Sequence, residues 1–251
     1  MINYFRNHHL AELSMLRSSL WRVAVLAFVL HPLGSLAAPN DDDGLDQLQE
    51  KVARNTWIKI RDDRRSNITA WYKIEDGKAV RSFKIDAVMD SSLERVAKTI
   101  LEVDNLKRYF WECYESRMVK KVSPTELYAY LKVNVPNPVP DRDIVMHLTM
   151  EPYSKRRGYL QFHIESAPNL VPLVPGLVRV PEYTFVIKLT PQSANETRLE
   201  MEGAINPGGN IPGWAINFIM RNAPYASILG MRRLAKTLSF DEPFPFRITE
   251  D

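Results

Sequence analysis

Cysteine is nearly missing from this 251-residue chain, with Cys113 standing alone. A lone thiol excludes an intramolecular disulfide and any cysteine-built metal cluster, while leaving an oxidising compartment open. Of the five histidines, His8, His9, His31, His147 and His163, no two have metal-ligand spacing, so no metal is expected. The sequence also lacks a phosphate-binding glycine loop, a dinucleotide fingerprint and a G-x-S-x-G elbow. These absences remove the common nucleotide-dependent and serine-hydrolase readings, and no cofactor is expected. Charge of one sign is scarce too. The net charge is +3, and Met1 to Ala37 contributes Arg6, Arg17 and Arg22 against Glu12, leaving about +1 for the remainder. Such a balance gives no electrostatic footprint for nucleic acid. No apolar run is long enough to span a bilayer, and no internal repeat is visible.

Hydrophobic residues at 45% and charged residues at 25% suit one folded domain with a sizeable core. Near the start, the apolar run Val23 to Leu30 follows basic residues and precedes His31, Pro32 and Gly34. Ser35-Leu36-Ala37-Ala38 then supplies small residues of the kind a signal peptidase reads. The pattern predicts a secretory signal over residues 1–37, with Met15 an alternative start, and cleavage after Ala37 or Ala38. No cysteine near that site offers a point for lipid attachment. The mature chain is expected to be exported, to the periplasm of a Gram-negative bacterium, and to act as a monomer. Residues 38–44 read as a linker, 45–240 as the domain and 241–251 as a tail.

Within the domain, Leu45, Leu48 and Val52 mark a short amphipathic helix over Leu45–Asn55. Strands are predicted at Trp57–Arg61, Ile68–Ile74 and Ala79–Ile85, separated by Asp62-Asp63 and Asp76-Gly77. Ser91-Ser92-Leu93-Glu94 then reads as a capping box for a helix whose apolar face carries Leu93, Val96, Ala97, Ile100 and Leu101, ending near Asp104 to Phe110. Six longer strands follow at 113–122, 126–135, 143–152, 158–166, 178–190 and 197–205. Their alternation sets Ile144, Met146, Leu148 and Met150 inward, opposite Asp143, Val145, His147 and Thr149. Likewise Leu160, Phe162 and Ile164 face inward, against Tyr159, Gln161, His163 and Glu165. A long amphipathic helix begins at Ile211-Pro212 and contains Pro224, a residue expected to kink it.

Certain segments resemble a known family. Pro136-Asn137-Pro138-Val139-Pro140-Asp141-Arg142-Asp143-Ile144-Val145 is similar to the proline-rich turn and Arg-Asp signature of START (StAR-related lipid transfer) domains. In the same order come Trp57 with its strand, Tyr109-Phe110-Trp111, Gly176-Leu177-Val178-Arg179, and Asn206 to Trp214 leading into the last helix. The resemblance covers about residues 45 to 240. It implies an α+β helix-grip fold, in which a curved antiparallel sheet wraps a long C-terminal helix and leaves an apolar cavity for one lipid or other hydrophobic molecule.

In that frame the expected cavity wall comprises Trp111, Leu131, Val133, Met146, Leu148, Phe162, Ile164, Tyr183, Phe185, Ile187 and Met201, with Trp214 and Phe218 from the terminal helix. Each is equally what an ordinary core residue would be. Arg179, on the presumed face of Tyr183 and Phe185, is the polar residue offered to a headgroup. Arg142 and Asp143 read as a local ion pair supporting the turn rather than as catalysts. The loop Ala167 to Gly176 is longer than a hairpin needs, and Leu170, Val171, Leu173 and Val174 are expected to form a gate that touches membrane transiently. Sterol-carrying relatives of this type place a buried arginine on the strand after the Arg-Asp signature, whereas Leu148 stands there, which argues against a sterol. Trp111, Tyr128 and Tyr130 are the aromatic residues available for a choline cage, but parity turns both tyrosines away from the interior. No catalytic constellation is legible, so a carrier is expected rather than an enzyme. A helix-grip enzyme acting on a hydrophobic substrate and a partner-binding envelope protein with a closed core are the alternatives.

Overall fold

Each strand predicted above has one apolar face that must be covered, and the chain covers these faces by wrapping one sheet about its last helix. The computed structural model describes residues 56–74 and 81–239. The predicted signal, linker, Leu45–Asn55 helix and C-terminal tail lie outside the described residues. Strands β1 (Ile58–Asp63), β2 (Ile68–Ile74) and β3 (Arg81–Met89) come first. Helix α1 (Leu93–Leu101), a 3-10 turn (Val103–Asn105) and helix α2 (Leu106–Tyr109) follow. Then come β4 (Cys113–Ser123), β5 (Glu126–Val133), β6 (Arg142–Ser154), β7 (Tyr159–Ser166), β8 (Val178–Arg179), β9 (Glu182–Ser193) and β10 (Glu196–Asn206). Helix α3 (Gly213–Thr237) is last of the described elements.

The sheet runs β1-β2-β3-β10-β9-β7-β6-β5-β4, antiparallel at every step, while β8 pairs with β6 in parallel. This is the expected curved sheet with a C-terminal helix. Helix α3 packs on α1, α2 and the first three strands. At Gly230 a Cβ would lie 2.9 Å from the Tyr109 Cα, so only glycine admits α2 there.

Local chemistry shifts several predicted boundaries. The cap of α1 is Ser92, whose side chain accepts from the Arg95 backbone N–H at 3.4 Å, so the cap sits one residue later than the predicted box. Glu94 thus lies in the first turn, where it complements the helix dipole, instead of reaching back to a cap. The helix stops at Leu101 because Glu102 leaves helical geometry, with ψ at 80°. The strand predicted over 178–190 is interrupted at Val180-Pro181, since proline brings no N–H to a ladder. Pro224 lies inside α3, which remains a single helix of 25 residues.

Candidate functional site: an apolar cavity under the terminal helix

Between the concave face of the sheet and α3 lies a cavity of about 200 Å³. The sheet contributes Phe83, Val133, Ile144, Met146, Leu148, Ile164, Tyr183, Phe185, Ile187, Met201 and Ile205. The helices contribute Ile100, Leu106 and Tyr109 from α1 and α2, and Ile219, Met220, Ala223, Pro224, Ser227, Ile228 and Met231 from α3. Phe110, Trp111, Val135, Val180, Pro207 and Ile211 also line it, and among the described residues Arg142 is its one charged side chain.

Register explains how the sheet assembles this wall. Leu148 lies opposite Ile164, Ile164 opposite Phe185, and Phe185 opposite Gly203, which in turn faces Phe83. Because Gly203 has no side chain, the Phe185 ring crosses over it and reaches Phe83, with ring centroids 5.1 Å apart. Tyr183 stacks on Phe185 at 5.2 Å and donates its hydroxyl proton to the Val145 carbonyl at 3.0 Å; burial pushes its pKa well up. Ser227 is likewise committed to structure, accepting from the Trp111 N–H at 2.9 Å and donating to the Ala223 carbonyl at 2.7 Å.

Outside the cavity, a buried polar cluster ties the long 167–177 loop to the sheet. Arg179 grips Asp143 with two hydrogen bonds, Nε to Oδ1 at 2.9 Å and Nη2 to Oδ2 at 2.8 Å. The side chains are only 7% and 1% exposed. Arg179 also donates to the carbonyls of Pro168, Val171 (3.0 Å) and Pro172 (3.0 Å), holding the loop backbone at three points. Tyr130 donates to Asp143 Oδ2 at 3.1 Å, and burial, with the Asp143 charge, raises its pKa to about 12.

A helix gripped by a curved antiparallel sheet over an apolar cavity is the geometry found in a set of solved structures. A STAR-related lipid transfer protein fragment from Xanthomonas axonopodis superposes with a TM-score of 0.65 at 25% identity, covering 72% of this chain and 99% of that one. In sequence, the rat phosphatidylcholine transfer protein is 26% identical over 167 residues, 62% of this chain and 74% of that protein. The chain is similar to START-type lipid transfer domains in fold and in sequence. No family model matches it. An uncharacterized protein of Pseudomonas aeruginosa is 30% identical over 129 residues, and the match spans 62% of that protein's length.

Of the residues proposed from the sequence, Trp111, Val133, Met146, Leu148, Ile164, Tyr183, Phe185, Ile187 and Met201 line the cavity. Others go elsewhere. Leu131 and Phe162 have the right parity but are packed within the solid part of the core, away from the void. Trp214 and Phe218 are exposed, at 52% and 46%, because they lie on the outer side of the first turns of α3; the Phe218 ring meets the edge of Trp111 at 6.3 Å. Arg179 points not inward but into the loop cluster, since the break at Pro181 separates its parity from that of Tyr183. The expected Arg142–Asp143 ion pair is absent for the same geometric reason that makes strands alternate: the two side chains leave opposite faces, and Asp143 pairs with Arg179. The α3 wall was missed, although Met220, Ala223, Ser227 and Met231 recur at three and four residues and mark that face.

Leu148 sits in the cavity wall, 2% exposed. Tyr128 and Tyr130 lie outside the cavity, as their parity requires. Tyr128 stacks on His147 at 4.4 Å, and Tyr130 lies beneath the Arg117 guanidinium at 4.6 Å.

Proposed function

We propose that this START-like domain binds one lipid or similar hydrophobic molecule in the cavity under α3 and carries it between membranes outside the cytoplasm. The apolar cavity between sheet and helix is the observation that carries the reading, since a close-packed domain core would otherwise fill such a void. Support comes from the named relatives, which are lipid transfer proteins. The 167–177 loop is the proposed gate and membrane-contacting surface, with Leu170 and Leu173 exposed at 45% and 74%. The signal-like segment ahead of Ala38 supports export.

Native mass spectrometry of protein purified from its own host tests the proposal in one measurement. The expected spectrum shows a chain that starts at Ala38 or Pro39 and carries one noncovalent adduct of lipid mass. Protein that arrives empty, and stays empty after incubation with vesicles of host lipid, would overturn the carrier reading. A chain retaining residues 1–37 would overturn export.

A further inference from the structure

A cation is costly in an apolar cavity, because leaving water penalises the charged form unless an anion matches it. Arg142 is 4% exposed and lines this cavity. Its protein partners are all backbone carbonyls: Nε donates to Pro207 at 3.5 Å, Nη2 to Gly208 at 3.0 Å, and Nη1 to Pro140. Carbonyls satisfy N–H groups without supplying a negative charge. Of the two neighbouring carboxylates, Asp143 is turned to the opposite face of β6, while Asp141, just before the strand, acts on the guanidinium only through its charge, and burial outweighs that contribution. Asp143 is held by Arg179, and Asp141 accepts from the Val135 N–H at 3.1 Å. Among the described residues, no carboxylate hydrogen-bonds the Arg142 guanidinium, Asp143 being paired with Arg179.

The surroundings specify what would complete the site. Each terminal guanidinium nitrogen bears a second N–H, and the planar fork matches a carboxylate or phosphate. From Arg142, the inward residues Ile144, Met146 and Leu148 continue along β6. Six residues of strand extend about 20 Å, the length of a long acyl chain. The cavity, about 200 Å³, falls below the range of roughly 300–1,000 Å³ typical of drug-sized ligand pockets, which favours one chain over two.

We infer that Arg142 anchors the acidic headgroup of a single-chain anionic lipid whose tail lies along β6 toward Leu148. The inference rests on the carrier reading and adds the ligand class. The shared chemistry is an anionic group on one acyl chain, which a fatty acid or a monoacyl phospholipid supplies.

Delipidated protein is titrated with palmitate, lysophosphatidate and the neutral hexadecanol, each displacing a fluorescent single-chain probe. Wild type is expected to prefer at least one anionic ligand over hexadecanol by tenfold or more, and the stronger of the two distinguishes carboxylate from phosphate. Arg142→Met should bring the ratio close to one, while Arg142→Lys, which keeps the charge but not the fork, should retain part of it. Thermal melts of each variant report folding; if Arg142→Met does not fold, the wild-type ratio and Arg142→Lys decide. Binding of all three ligands with equal affinity by wild type would overturn the anchor and leave the carrier reading intact. So would an unchanged preference in folded Arg142→Met. Failure of every ligand and of the probe to bind would overturn both.

Discussion

Leu148 tests the cavity at the level of a single side chain. It is nearly buried on β6, opposite Ile164 on one side and Leu127 on the other, and it meets the void. Leu148→Arg would place an unpaired guanidinium in an apolar wall, at a cost of several kcal/mol, so lipid uptake should fall below detection and the melting temperature should drop. Leu148→Met conserves volume, costs below about 1.5 kcal/mol, and should retain uptake. Probe displacement and thermal melts check both; uptake by a folded Leu148→Arg equal to that of wild type would remove Leu148 from the site. At this scale the sequence was most legible where parity alone decides, as for Ile144, Met146 and Leu148. Parity does not say how far along the strand a cavity extends, which is why Phe162 shares its face with Ile164 yet packs in solid core. Nor does it carry past an interruption, and Arg179 was misplaced across Pro181.

Among the elements, the 167–177 loop combines an anchored backbone with outward apolar side chains. Arg179 holds its carbonyls at Pro168, Val171 and Pro172, whereas Leu170 and Leu173 contribute little to the core. Their replacement by serine should therefore cost little stability, since exposed substitutions generally lie within about 0.5 kcal/mol. Loss of apolar area at a membrane surface should instead slow exchange. Leu170→Ser with Leu173→Ser is expected to reduce lipid transfer between vesicles severalfold, with a smaller effect on equilibrium binding. Equal transfer rates for the variant and wild type would remove the loop from the membrane-contact surface. The loop's apolar content was legible in the sequence, but its anchor was not, because Asp143 and Arg179 are 36 residues apart and meet only through the parallel pairing of β8 with β6. Most strand boundaries moved by a residue or two, but β3 runs four residues past the predicted Ile85 and β9 three past 190, while the short α1 reflects one residue, Glu102, leaving helical geometry.

For the domain as a whole, alternation and a long final helix made the architecture legible, but the place of β10 between β3 and β9 depends on pairings remote in sequence. That closure creates the cavity and also sets its energetic consequence. At roughly 24 cal/mol per Å³, an unfilled space of about 200 Å³ corresponds to a penalty on the order of 5 kcal/mol, a large part of the stability of an ordinary domain. A ligand that fills the cavity in the folded state alone adds about 2.7 kcal/mol at a free concentration one hundred times its Kd. For a domain of this size, each kcal/mol moves the melting temperature by about 2–4 °C, so saturation should raise it by about 5–10 °C. Calorimetry of delipidated and reloaded protein at matched concentration checks this, with Leu148→Arg as the control that should not respond. If the delipidated and reloaded forms melted together, either the cavity would collapse when empty or the ligand would lie outside it, and the stabilising role assigned to the cavity would fall.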